Sequence, residues 1–207
     1  MATTMAADKK ASVEEKIQEL RDLYADAPPL GKKALENVIR ELQSDAASPT
    51  ARPMESAGRV GSRVGKVSEL TLIVPLLPGG AKRLRAFLRL LHGNPQAGAD
   101  RVGTLHDMRF VFLDNDTKLL FATAYDGDWD AYIDDFATKI PDYLDLMDTD
   151  WEGWPGIRSP QVKDYLVKHQ VTAEGWYVAN PDLTVQEARR LQRLGKAVDE
   201  FLDKLNG

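Results

Sequence analysis

The residues best suited to chemistry cluster between Gly103 and Tyr132, in GTLHDMRFVFLDNDTKLLFATAYDGDWDAY. His106 and Arg109 stand on what alternation reads as one strand, and Tyr125-Asp126-Gly127 ends the next. An imidazole titrates near neutral pH and can take a proton from a substrate. A guanidinium beside it can orient an anionic or peroxide-like group. His106, Arg109, Tyr125 and Asp126 therefore form the candidate catalytic set. Strict alternation puts His106 on one face with Met108, Phe110 and Phe112, and Arg109 on the other with Leu105, Asp107, Val111 and Leu113. The same residues also fit a plain structural role. His106 would then be a hydrogen-bonded core residue, and Arg109 would pair with Asp107 or with a carboxylate on the next strand.

Other chemistry is weaker or excluded. Asp126-Gly127-Asp128-Trp129-Asp130 resembles half of a calcium loop but lacks its sixth-position glycine and closing glutamate, so a strand-to-helix turn with Asp128 as helix cap is expected, and no metal. The segment Asp126–Glu152 carries ten acids against Lys139 alone, which reads either as a divalent-metal or basic-partner surface or, more simply, as a solvated face that complements the basic helix over 81–92. Trp151 and Trp154 fit either a pocket lid or a plug under an irregular loop. His92 and His169 fall at helix ends, where a cation suits the dipole. With no cysteine there is no disulfide or thiolate chemistry, and no P-loop, GxGxxG, HExxH or GxSxG motif occurs.

The elements that must position these side chains come from periodicity. Residues 1–11 are expected to be disordered, and residues 12–44 to form a helical hairpin that starts at the Ser12-Val13-Glu14-Glu15 capping box and breaks at Pro28-Pro29. Residues 45–67 read as a flexible linker rich in Ala, Ser, Gly and Pro. The main domain, 68–207, reads as strand (70–76), helix (81–92), loop (93–102), strand (104–113), strand (118–125) and a helix from Trp129. After Pro141 an irregular acidic insert is expected, then a helix opened by Ser159-Pro160. A fourth strand (171–178) and a long amphipathic helix opened by a second capping box at Thr184-Val185-Gln186-Glu187 complete the chain. That order is the ferredoxin-like βαββαβ arrangement, an α+β fold with helices on one sheet face. The other face needs cover, so a homodimer is expected.

The net charge of −5 implies no general attraction to nucleic acid. No run is long and apolar enough to span a membrane, and the first residues do not read as a signal peptide. A cytoplasmic location is the expectation.

From Thr104-Leu105-His106 and Arg109-Phe110-Val111, through Leu119-Leu120-Phe121, Thr123, Tyr125-Asp126-Gly127 and Trp129, to Tyr132, Asp135-Phe136, Trp176-Tyr177 and Pro181-Asp182-Leu183-Thr184-Val185, the chain resembles a group of uncharacterised bacterial proteins in the dimeric α+β barrel superfamily. Asp107 departs from that pattern, where an aromatic is commoner. The wider superfamily includes dye-decolourising peroxidases, chlorite dismutases and cofactor-free monooxygenases. By analogy the resemblance implies small-molecule oxidative chemistry, with haem as the candidate cofactor held by His106 and Trp129. The alternative is a non-catalytic scaffold or partner-binding protein that assembles through residues 12–44 and the C-terminal helix.

Overall fold

A computed structural model describes residues 2–44, 52–91 and 96–206. The chain divides into two units, residues 1–51 and 52–207. The first is a helical hairpin, α1 (Ala2–Leu23) and α2 (Pro29–Ser44). The helix begins at Ala2, so Ser12 lies inside α1 rather than at its start; alanine-rich sequence propagates a helix through residues expected to be disordered. Arg21 holds Glu36 across the hairpin through two bonds of 2.9 Å.

The second unit is α+β. Among the described residues it contains a five-stranded antiparallel sheet in the order β1-β2-β3-β5-β4: β1 (Glu55–Ser56), β2 (Ser62–Val64), β3 (Val67–Pro75), β4 (Leu105–Leu113) and β5 (Lys118–Asp126). The helices are α3 (Gly80–Leu91), α4 (Gln96–Val102), α5 (Trp129–Lys139), α6 (Pro141–Asp148), α7 (Val162–His169) and α8 (Val185–Asn206). β3 and β4 flank β5, and α3 crosses between them. The β4–β5 turn puts Asp114, Asn115 and Asp116 at positive φ, as their short polar side chains allow. Leu70, Leu72, Val74, Leu119, Phe121 and Tyr125 point to the helices and form the core with Trp129, Tyr132 and Phe136 of α5.

Several expectations need correction. Residues 52–67 are not linker; 45–51 lie outside the described residues, but the remainder builds β1 and β2. Gly65, at φ 63°, turns β2 into β3 where any Cβ would collide with the Pro181 carbonyl. The basic residues of this stretch are each paired: Arg52 with Asp182, Arg59 with Asp130, Arg63 with Asp128, Lys66 with Glu187. Asp128 thus spends its carboxylate on Arg63, at 2.7 Å, and makes no cap bond to α5. Residues 96–102 of the expected loop are α4, while His92 lies outside the described residues. Pro141 starts α6 rather than an irregular insert, because a proline at the first helical position forfeits no hydrogen bond.

The fourth strand does not form. At the free edge of β3, Val67 and Ser68 pair with β2, Leu72 bridges to Gln170, and the Val171 N–H donates to the Thr71 carbonyl at 2.9 Å. Buried Glu69 ties these pieces together, accepting from the Ser62 N–H at 3.1 Å, the Ala173 N–H at 3.2 Å and the Thr71 hydroxyl at 3.0 Å. Beyond Ala173 the chain leaves the sheet. No described helix is long and apolar enough to cross a membrane.

Candidate functional site

β4 carries an irregularity that decides where the histidine goes. Its register with β5 slips between Leu105 and Asp107, so one extra residue is inserted and alternation restarts. Leu105 packs into the core with Met108, Phe110 and Phe112. His106 leaves that face, against the strict alternation expected of it, and its Nε2 meets Asp126 Oδ1 at 2.8 Å. The Asp126 N–H closes the ladder on the Thr104 carbonyl at 2.9 Å, and its Oδ2 accepts the Val185 N–H at the start of α8 at 2.9 Å. Both carboxylate oxygens are thereby fixed, and the imidazole is oriented from one side. When Nε2 carries the proton it donates to Asp126 and leaves Nδ1 as an acceptor.

α8 begins beside this pair because its capping box forms: the Glu187 N–H donates to Thr184 Oγ1 at 3.2 Å, and Glu187 Oε2 accepts the Thr184 N–H at 2.8 Å. The ammonium of Lys66, then these Thr184 bonds, hold the Glu187 carboxyl down at about 2. An open groove of about 290 Å³ runs alongside. Its floor is Val67 and Ala124 with His106 and Asp107, and its wall is Trp176, Tyr177, Asn180 and Leu183. Trp176 and Tyr177 belong to the expected fourth strand, 171–178, and Asn180 and Leu183 lie beyond it. The wall's signal was available in Glu174-Gly175, a weak strand pair placed just before two aromatics. No lysine or arginine lines the groove.

The structure brings His106 and Asp126 together and separates the other candidates from them. Arg109 is exposed and leans on Asp107 at 3.3 Å, as its structural reading anticipated. Tyr125 faces the core, its ring stacked on Tyr132 at 3.7 Å. Burial, and then the Glu69 charge, push its hydroxyl well above the usual tyrosine range. Trp129 is fully buried on the core side and donates its indole N–H to Gln170 Oε1 at 2.9 Å. Trp151 is a core plug, in ring contact with Phe121 and with the half-buried Trp154. Among the described residues no group of three or more His, Asp or Glu could hold a metal ion. The acids of 126–152 are largely paired with bases, Asp150 with Arg83, Asp134 with Lys163 and Asp142 with Arg158.

The residues present do not fit haem. His106 has its Nε2 committed to Asp126, and Trp129 lies across the sheet from it. The lining carboxylate, Asp107, is paired with Arg109, and among the described residues no lysine or arginine lines the groove for the acidic groups of a haem. Comparisons of the chain with protein-family models, with curated proteins and with solved structures each find no match.

Proposed function

We propose that the protein binds a small organic molecule in the groove beside His106 and Asp126, and that the ligand carries a cationic or N–H donor group on an apolar or aromatic body. The observation that carries this reading is a doubly anchored His–Asp pair opening on a groove whose other polar side chains are Asp107 and Asn180 and whose wall is Trp176 and Tyr177. The Asp107 carboxylate and the aromatic faces attract a cation, while Val67, Ala124 and Leu183 accept an apolar body. With Nδ1 as acceptor, His106 can take a proton from a bound molecule, and the imidazolium so formed is held by Asp126. Cofactor-free oxidative chemistry can begin with such a proton removal, and the resemblance in sequence pattern is what connects it to this chain. The strand order β3-β5-β4 with its crossing helix supports a ferredoxin-like sheet, and the exposed Val111 on the face away from the helices supports a two-fold partner there.

The test is calorimetric titration of the full chain with benzylamine and, separately, benzoate. Benzylamine binds saturably and benzoate does not; Asp107→Asn and His106→Gln each weaken benzylamine. Equal affinity for the two probes, or a benzylamine isotherm unchanged in both variants, overturns the reading. A second reading, a non-catalytic partner-binding protein, is favoured by the Asp126–Val185 bond, which makes the His106–Asp126 pair a latch at the root of α8.

A further inference from the structure

Among the described residues of the second unit, α8 is anchored at its first turns. Val185 is buried, Gln186 donates to the Gly103 carbonyl at 3.1 Å, and Arg189 pairs with Asp100 at 2.5 Å. From Arg190 onward every described side chain is exposed. Leu191, Leu194, Val198, Phe201 and Leu205 are between 46 and 65 % exposed, which is a large apolar load for the surface of one helix.

Their spacing is specific. Steps of three, four, three and four residues keep all five on one narrow stripe, the seam of a left-handed coiled coil rather than the broader face of a helix lying on a sheet. The seam is about 21 Å long at 1.5 Å per residue. Charge is segregated along it. Arg189, Arg190, Arg193 and Lys196 occupy the first half, while Asp199, Glu200 and Asp203 occupy the second with Lys204 as the exception. The helix dipole does not explain this order, because the end turns already suit it with Glu187 and Lys204. A second copy running antiparallel explains it, since each basic half then lies along an acidic half. The same arrangement sets Leu202, beside the seam, near Gly195 of the other helix, where no side chain competes for space. A parallel pair would place like halves together.

We infer that α8 is a self-association element: two copies of this chain pair through their α8 seams, antiparallel and about a two-fold axis. The inference deepens the second reading above and is independent of the groove. The chain has no cysteine, so single introduced thiols report the arrangement directly. Sedimentation of the full chain across the micromolar range gives a mass that rises to twice the monomer. Val198→Glu, at an exposed site that leaves the fold intact, holds it at the monomer. Under mild oxidation Leu194→Cys and Leu205→Cys each fail to cross-link alone and cross-link when mixed. A monomer at every concentration, or a dimer indifferent to Val198→Glu, overturns the inference. So does cross-linking of Leu205→Cys with itself in preference to the mixture. None of these outcomes alters benzylamine binding, so failure here and failure of the groove reading are separable.

Discussion

Tyr125 and Asp126 are neighbours in the chain, and the sheet sends them into opposite worlds. Tyr125 enters a sealed aromatic stack with Tyr132, whose hydroxyl donates to Thr123 Oγ1 at 3.0 Å, and with Phe136 beyond it. Asp126 turns outward to His106 and to the root of α8. Tyr125, Trp129, Tyr132 and Trp151 are buried on the sealed side, and the imidazole of β4 sits on the open side. What a residue type can do chemically is decided by the face of the sheet it lands on. Tyrosine and tryptophan on the sealed side serve packing, and the same kinds of residue in the groove wall, Tyr177 and Trp176, are free to meet a ligand.

The largest break in this comparison comes from the sealed side. Trp129→Ala empties a fully buried ring and strands Gln170, and is expected to cost about 3–5 kcal/mol in urea unfolding. A loss under about 1 kcal/mol would mean that this face is not the packed one.

Next is a pH signature confined to the same side. Asp148 is buried among Trp151, Trp154 and Leu166, and burial, with the nearby Asp145 charge second, pushes its carboxyl well above the usual range. The folded chain therefore keeps a proton that the unfolded chain releases, and stability falls as pH rises above the ordinary carboxylate range. Asp148→Asn removes that slope. Its melting temperature should match the parent near pH 4 and exceed it at pH 8, and a gain equal at both pH values would show that Asp148 titrates normally.

The smallest effect on stability belongs to the open side. His106→Gln is expected to change unfolding free energy by no more than about 1 kcal/mol, because the pair it breaks is partly solvated and Asp126 keeps its Val185 bond. A loss comparable to Trp129→Ala would make His106 a core residue after all.

The split of strand, helix and two strands was legible because β3, α3, β4 and β5 carry clean periodicity and an Asp-Asn-Asp turn. The capping box of α8 was legible for a similar reason: it needs only local residues. What sequence could not show was non-local. Residues 52–67 look like linker because β1 and β2 are short and hold their place through Glu69 and through ion pairs to distant carboxylates. The bulge at Leu105–Asp107 inverts the face of His106, and no alternation rule contains it. The candidate site was therefore half legible. His106 and Asp126 were named, yet their partnership and the groove wall at Trp176 and Tyr177 depend on where the expected fourth strand fails to pair.

The most direct measurement is the indole N–H spectrum of the isotope-labelled full chain during titration with benzylamine, since the four tryptophans give one signal each. A saturable shift of the Trp176 signal is expected, with Trp129 and Trp151 unmoved. A shift at Trp129 or Trp151 with Trp176 still, or no saturable shift at all, would contradict it.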